Sequence, residues 1–181
     1  MASHIASLIM EAMNAECCQN FAGPKHTLVD FHRMMTRLVE MEDSQYSYRN
    51  VLAAYTSGGI LAGICVAYDG GKLHQLRRRF YEAALEAFGI DYTGMTDETE
   101  DGEFYIDSLA VSSNFRGKGI ASQLLQATIE RGAELGIPTV GLLVDKGNPK
   151  AEALYQRLGF IYVNDSTWGG HPMRHLQYKH D

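Results

Sequence analysis

A glycine-rich segment at the start of a predicted helix is the part of this chain best suited to chemistry. The run Arg116-Gly117-Lys118-Gly119 follows a β-prone stretch and precedes the helical pattern that begins at Ile120. A helix N-terminus carries unpaired N–H groups and a partial positive charge, and two glycines allow a phosphate to approach the backbone closely. Because Arg116 and Lys118 add positive charge, the segment predicts a phosphate or pyrophosphate site.

Two other kinds of phosphate-binding loop are excluded by the same residues. A Walker A loop requires Gly-x4-Gly-Lys-[Ser/Thr], which is missing, and the dinucleotide fingerprint requires a third glycine where Ser122 stands. A plain glycine-rich turn without a ligand is the structural alternative. A nucleotide-binding protein that uses this loop also stays open.

A second motif follows the glycine-rich segment. Residues 148–160 have the form N-x-x-A-x-x-[L/F]-Y-x-x-x-G-F, and Arg116-x-x-Gly119-x-Ala121 has the form [Q/R]-x-x-G-x-[G/A]. In their sequence and spacing the two motifs resemble those of the GNAT superfamily, the acyl-CoA-dependent N-acyltransferases. The resemblance covers residues 103–163, and the earlier part of the chain is similar only in its order of elements.

The resemblance implies a binding site for acetyl-CoA as acyl donor. Backbone groups of Leu109 and Val111 would bond the pantetheine arm as if it were another strand, and the glycine-rich segment would hold the pyrophosphate. Asn148 would contact the pantetheine or begin the following helix, and Tyr155 would lie near the thioester sulfur. The cofactor-binding residues implied in this way are Leu109, Ala110, Val111, Arg116, Gly117, Lys118, Gly119, Ile120, Ala121, Ser122, Asn148 and Tyr155.

The expected catalytic residues are Tyr155, Asp107 and Glu103. Acetyl transfer to an amine needs a group that accepts the amine proton and a group that stabilises the leaving thiolate. By its place in the motif Tyr155 fits the second role, with a core aromatic as the alternative. Glu103, Tyr105 and Asp107 alternate along one side of a predicted strand, so both carboxylates could face the acceptor. We expect Asp107 nearest the thioester and Glu103 at the mouth of the cleft, with solvated strand carboxylates as the alternative.

The charge distribution suggests a cationic acceptor. Residues 91–107 contain seven acidic and no basic residues, whereas the rest of the chain holds 15 acidic and 16 basic residues. Such a field attracts positive ligands. The loop 44–49, rich in tyrosine, could line a pocket for a small-molecule or peptide amine, or could simply be anchored by its tyrosines. The run 77–79, three arginines, is interpreted as a solvated helix face.

The elements that position these residues follow from the spacing of apolar side chains. Five segments have helical spacing, namely 4–16, a segment that starts at Thr27, 72–88, 117–135 and 149–158. Six segments are β-prone, namely 50–56, 60–68, 104–111, 139–144, 160–163 and 173–179, with a glycine-rich loop at 164–172.

This order predicts one α+β domain over residues 1–181. The resemblance adds a GNAT-like mixed, mostly antiparallel central sheet with helices on both faces and strands splayed at the cofactor site. Residues 1–49 would form N-terminal helices and an acceptor-side loop, and residues 103–163 the acetyl-CoA-binding core. Residues 69–102 would form a helix and an acidic loop. We interpret this segment as an insertion, because the corresponding connection is usually short in the family.

Composition limits the remaining function classes. The net charge of −6 argues against nucleic acid as a partner, and no apolar run predicts a membrane span or a signal peptide. Cys17, Cys18 and Cys65 form no disulfide pattern, which is typical of a cytoplasmic protein. The histidine spacing predicts no metal site. A homodimer and a non-catalytic acyl-CoA-binding regulatory module both stay open.

Overall fold

Six strands form a single sheet in this computed structural model, which describes residues 1–181. The strands are β1 (Val51–Tyr55), β2 (Leu61–Asp69), β3 (Glu103–Val111), β4 (Thr139–Asp145), β5 (Ile161–Trp168) and β6 (His171–Lys179). Their order across the sheet is β1-β2-β3-β4-β6-β5, and only β3 and β4 run parallel. The predicted mixed, mostly antiparallel sheet is confirmed.

Six helices cover the two faces of this sheet. They are α1 (Ala2–Met13), α2 (Ala15–Ala22), α3 (Leu28–Glu40), α4 (Leu73–Phe88), α5 (Ile120–Glu134) and α6 (Pro149–Arg157). Helices α1 to α4 bury apolar side chains against Ile64, Val66 and Ala110, whereas α5 and α6 pack against Cys65 and Ile106 from the opposite face. Alternate residues of β2 therefore contact different helix layers, as the two-residue period of a strand requires. None of the helices has the length and apolar character needed to cross a bilayer.

The N-terminal region contains a break that the sequence pattern did not predict. One helix was expected over residues 4–16, but the chain turns at Asn14, which has φ +73°. The Asn14 side chain accepts a hydrogen bond from the Cys17 amide and so begins a separate helix. Asparagine tolerates a positive φ and is a favoured N-cap, which explains the break. The turn directs the α1–α2 corner towards the centre of the sheet.

Strands β3 and β4 diverge after a short paired region. Glu103 to Ile106 pair with Thr139 to Leu142, and β3 then continues to Val111 without a partner on this side. The expected splay of the two strands is confirmed. Their separation leaves an opening in the middle of the sheet.

A β-bulge lies at the point where the strands separate. Val66 of β2 pairs with Ser108 and Ala67 pairs with Ile106, so Asp107 is the extra residue of β3. Side chains directly opposite each other share a face of the sheet, so Ser108 lies on the same face as Val66. Strict alternation along the strand, which we expected for Glu103, Tyr105 and Asp107, would put Ser108 on the same side as Ile106. For Ser108 this is wrong, because the bulge shifts the alternation by one residue.

The last two strands are longer than predicted. The loop expected at 164–172 is wrong, because β5 continues to Trp168 and β6 begins at His171. Only Gly169 and Gly170, both with positive φ, form the turn. The polar residues that suggested a loop belong to a solvent-exposed edge strand, which pairs with β6 through its backbone. As a result Trp168 extends over the opening between β3 and β4.

Candidate active site

The opening between β3 and β4 contains a cleft of about 260 Å³. Asn14 and Cys17 of the α1–α2 corner line it from one face of the sheet, and Tyr155 of α6 lines it from the other. Asp107 and Leu109 of β3 form one wall. A ligand in this cleft could therefore contact groups from both helix layers at once.

Asp107 lies on the wall of the cleft inside a hydrogen-bond network. Its Oδ2 accepts a 2.7 Å hydrogen bond from the Tyr68 hydroxyl and a 3.3 Å bond from Gln45 Nε2. Its Oδ1 accepts a 3.1 Å bond from the Ser108 hydroxyl. Burial raises the pKa of Asp107 above its usual range, and the hydrogen bonds from Tyr68, Ser108 and Gln45 oppose that rise. The carboxylate is thus held in place and made more basic than an exposed one.

Glu98, which the sequence pattern does not distinguish from its acidic neighbours, is a further carboxyl group in the cleft. Its Oε1 accepts a 3.1 Å hydrogen bond from Arg77, and its Oε2 accepts bonds from the Tyr105 hydroxyl at 3.2 Å and from Trp168 Nε1. Burial and the charge of Asp107 raise the pKa of Glu98 to about 7, while Arg77 acts in the opposite direction. The segment 69–102 therefore contributes directly to the cleft.

Arg77 is buried rather than solvated. It is 1% exposed and also lies 3.6 Å from Asp97, whereas Arg78 and Arg79 are on the outer part of α4. The solvated-face interpretation is wrong for this residue because a buried guanidinium needs a carboxylate partner, and Glu98 supplies it. The pairing could not be read from a run of three arginines, which gives no indication of which one faces inward.

Glu103 does not lie at the mouth of the cleft, and that expectation is wrong. It is 1% exposed and does not line the cleft. Its carboxylate accepts hydrogen bonds from Thr99 at 2.7 Å and Gln177 at 2.7 Å, and it lies 2.6 Å from His175 Nε2. Gly141 provides the space for this side chain, since a Cβ there would overlap the Glu103 carboxylate. The splay begins three residues beyond Glu103, so only the later part of β3 borders the opening.

Tyr155 projects from α6 into the same cleft as Asp107. Its ring packs edge-to-face on Phe160, with 6.1 Å between centroids, and its hydroxyl makes no hydrogen bond within the chain. Burial, followed by the neighbouring Cys65 thiol, raises the pKa of Tyr155 to about 12. The hydroxyl is therefore protonated at neutral pH and free to donate. Asn148, at the start of α6, lines the cleft and caps the helix by accepting a hydrogen bond from the Ala151 amide.

The glycine-rich segment joins β3 to α5 in the geometry of an anion site. Gly117 and Gly119 have φ of +76° and +79°, and nothing lies within 4 Å of where their Cβ atoms would be. Gln123 donates the first hydrogen bond of α5, to Gly119, and no amide from Gly117 to Ser122 donates within the chain. These donors point into open space at a helix N-terminus. Lys118 extends over the Phe115 ring, 5.6 Å from its centroid.

Backbone groups of β3 are also exposed in the gap. The Ser112 amide donates a hydrogen bond to the Ala62 carbonyl, next to β2. The backbone groups of successive residues in a strand point alternately to its two sides, so those of Ala110 also point towards β2. The backbone groups of Leu109 and Val111 then face the gap, and the Val111 carbonyl accepts a 3.1 Å hydrogen bond from Arg116 Nε. The Arg116 side chain is thereby bonded to the end of β3. The Ala110 side chain is buried under the α1–α4 layer.

Aromatic side chains complete the cleft on the side of α2. Trp168 packs edge-to-face on Phe21, with 5.5 Å between centroids, and Tyr46 lines the cleft from the loop between α3 and β1. The sequence indicated Tyr46 only as a member of a tyrosine-rich loop. For Trp168 the sequence offers one indication, namely that the only tryptophan of the chain precedes two glycines. His171, which pairs with Trp168 across the β5–β6 turn, and Asp145, 3.8 Å from it, also line the cleft.

Comparison with known families identifies a match to most of the chain. The model of the acetyltransferase (GNAT) family matches residues 30–160. A solved structure described as that of an acetyltransferase is 27% identical, with a TM-score of 0.79, and the match covers 98% of this chain and 94% of that one.

Curated relatives are similar over shorter stretches. A mycothiol acetyltransferase of Propionibacterium freudenreichii subsp. shermanii is 36% identical over 42% of this chain, and an N-alpha-acetyltransferase, MAK3, of Arabidopsis thaliana is 42% identical over 37%. The matched stretch spans only 24% and 35% of the lengths of these two relatives. The two names describe different acetyltransferases, so the similarity does not identify the acceptor of this chain.

Proposed function

The chain belongs to the acetyltransferase (GNAT) family, whose model matches residues 30–160, and we propose that it moves an acetyl group from acetyl-CoA to a primary amine by direct attack. One observation carries the proposal. Asp107 and Tyr155 line the same cleft, in the gap between the diverging strands β3 and β4. A small molecule or a peptide could supply the amine.

The residues present fit acetyl-CoA, which would supply the thioester that the amine attacks. The unpaired amides from Gly117 to Ser122, with Lys118 beside them, suit a pyrophosphate. The backbone groups of Leu109 and the amide of Val111, which face the gap, suit the amides of a pantetheine arm, which would bond to β3 as a strand does. Asn148, which lines the cleft at the start of α6, would contact the arm. No metal is included in the proposal.

Asp107 is the proposed acceptor of the amine proton. An amine that arrives protonated must lose a proton before it can attack, and a carboxylate with a raised pKa accepts it more readily than an ordinary one. Asp107 has this property and lines the cleft, with Glu98 as a second carboxyl group nearby. Glu103 lies outside the cleft with its oxygens engaged, so we propose a structural role for it in place of the expected catalytic one.

Tyr155 is the proposed donor to the leaving thiolate. Its hydroxyl is protonated, has no partner within the chain and lies in the cleft on the side opposite the α1–α2 corner. Negative charge on sulfur develops only as the acyl group leaves, so a donor directed at it stabilises the transition state more than the ground state.

The acceptor is proposed to be cationic. Glu98, Asp107 and Asp145 line the cleft, whereas Arg77, which pairs with Glu98, is buried beneath it. The acidic stretch 91–107 is partly neutralised by such pairs, so the attraction should be local rather than a property of the whole surface. The ratio kcat/KM for a cationic acceptor should then fall with added salt.

A panel of amines tests the proposal. Purified protein is incubated with acetyl-CoA and with polyamines, aminoglycosides, amino acids or short peptides, and acetylated products are identified by mass spectrometry. Formation of an N-acetyl product that requires the protein supports the proposal. Tight binding of acetyl-CoA without any product would indicate a non-catalytic module, and competition by ATP but not by CoA would indicate a nucleotide-binding protein.

A further inference from the structure

Tyr46 carries a polar group that the proposed chemistry has not used. The residue is 3% exposed, yet it lines the cleft, and its hydroxyl makes no hydrogen bond within the chain. A buried hydroxyl usually has a partner, because leaving it unsatisfied is unfavourable. An unpartnered hydroxyl that faces a cleft therefore suggests that a ligand supplies the partner.

The loop around Tyr46 is anchored rather than free. The Ser44 hydroxyl donates a 2.5 Å hydrogen bond to the Leu38 carbonyl, and Asn50 Nδ2 donates to the carbonyls of Ser44 and Gln45 at 3.1 Å. The Tyr46 ring packs edge-to-face on Phe80, with 6.5 Å between centroids. The position of the hydroxyl is thus fixed by the surrounding structure.

Two carboxyl groups act on the Tyr46 hydroxyl. Burial first, and then the charges of Asp107 and Glu98, raise its pKa well above the usual range of a tyrosine. The hydroxyl stays protonated and its oxygen can still accept a hydrogen bond. Trp168 and Tyr105 add aromatic surface to the same part of the cleft.

We propose that Tyr46 and Asp107 together bind the ammonium group of a primary amine, the hydroxyl oxygen accepting one N–H and the carboxylate another. The inference rests on the proposed function and adds Tyr46 as a residue that binds its acceptor. An ammonium group of the form R–NH3⁺ has three donors, so it fits a site built from hydrogen-bond acceptors. When the bond from nitrogen to one hydrogen breaks, that proton forms an O–H bond on Asp107 and the electron pair stays on nitrogen. Tyr46 still accepts its own hydrogen bond from the neutral amine, from an N–H that was not broken.

A site formed by aromatic faces alone would have a different preference. Aromatic rings attract cations whether or not these carry N–H groups, and they bind quaternary ammonium ions well. A site that depends on the Tyr46 hydroxyl must instead prefer a primary ammonium ion over its trimethylated form. The ratio of the two affinities therefore separates the two kinds of site.

The test measures binding in the complex with CoA, where no acetyl group is available for transfer. Butylammonium and butyltrimethylammonium are titrated into wild-type protein saturated with CoA, and binding is followed by NMR shifts of the protein. We expect the primary ion to bind at least about tenfold more tightly than the quaternary ion, as for a hydrogen bond to a charged group. In Tyr46→Phe this preference should fall to about threefold or less.

Tyr178→Phe is the matched control. Tyr178 packs against Phe160 outside the cleft, and its hydroxyl also lacks a hydrogen bond within the chain. This variant should keep the wild-type preference, and both variants should unfold at the wild-type temperature. Equal affinity for the two ions in wild type, or an unchanged preference in Tyr46→Phe, would overturn the inference. Neither result depends on turnover, so failure of the amine panel to give product is a separate outcome.

Discussion

The Tyr68 hydroxyl donates a 2.7 Å hydrogen bond to the carboxylate of Asp107. The two residues lie on neighbouring strands, and Asp107 reaches this position because it is the extra residue of the β-bulge. The bond favours the charged carboxylate, whereas burial disfavours it. The basicity of Asp107 is therefore a balance that one hydroxyl can change.

Tyr68→Phe should move the acid limb of the pH–rate profile to higher pH. The hydrogen bond from Tyr68 lowers the pKa of Asp107, whereas burial raises it. Without the hydroxyl the pKa of Asp107 rises, so less carboxylate is present at neutral pH. A hydrogen bond to a charged group contributes about 1.5 kcal/mol or more, which corresponds to a shift of about one pH unit. The measurement is kcat/KM for a fixed amine across pH. An acid limb that stays in place, or moves to lower pH, would argue against Asp107 as the base.

Asp107→Asn and Glu103→Gln should have different effects. Without the Asp107 carboxylate, kcat/KM should fall most near neutral pH and less at high pH, where free amine is abundant. Glu103→Gln should mainly lower the melting temperature, because it disrupts the buried contacts with His175 and Gln177. Parallel pH–rate profiles and thermal melts distinguish the two. A lost acid limb in Glu103→Gln alone would reverse the assignment.

Gly119→Val should weaken binding of acetyl-CoA by at least about tenfold, or about 1.4 kcal/mol. The substitution strains a residue with φ +79° and puts a side chain in the open space beside the free amides. Gly89→Val is the matched control, since Gly89 also has a positive φ and open space around it but ends α4, outside the cleft. Calorimetric affinity should fall only in the first variant. Equal affinities in the two variants would exclude the loop from the site.

The pair formed by His175 and Glu103 should make stability depend on pH. The hydrogen bond to Glu103 raises the pKa of His175 above 6.5, although burial opposes it. The protonated form is therefore favoured by folding, so its stabilisation is complete below pH 6.5 and disappears as pH rises through the folded pKa. We therefore expect the unfolding free energy to fall as the pH rises over that range. His175→Gln should abolish this dependence, whereas His4→Gln, at an exposed position, should retain it.

The sequence predicted most of the fold because apolar spacing is a local property. The β-prone run that became β3 and the helical stripe of α5 were placed within a few residues of their observed bounds. The motif around Tyr155 likewise brought Asn148 and Tyr155 to the cleft that Asp107 lines. The predictions that failed concern features that depend on pairing between strands. The bulge at Asp107 and the extension of β5 to Trp168 are consequences of partner strands, which a run of residues does not specify.

The charged residues of the site were harder to predict than its helices and strands. Glu98 and Glu103 belong to the same acidic stretch, and nothing in their spacing indicates that one lines the cleft and the other lies behind it. The difference arises because Arg77 pairs with Glu98, while His175 contacts Glu103. These partners are distant in sequence. Burial of a carboxylate is therefore decided by tertiary pairing rather than by local pattern.

Release of the CoA thiol by Tyr155→Phe, compared with wild type, is the most direct test of acetyl transfer through this cleft. The ring packed on Phe160 is retained, so the fold should survive, and acetyl-CoA affinity should change little. With the donor to sulfur removed, kcat should fall about 10- to 1,000-fold, or about 1.4–4 kcal/mol. Full turnover in Tyr155→Phe together with a lower melting temperature would contradict the proposal and make Tyr155 a structural aromatic.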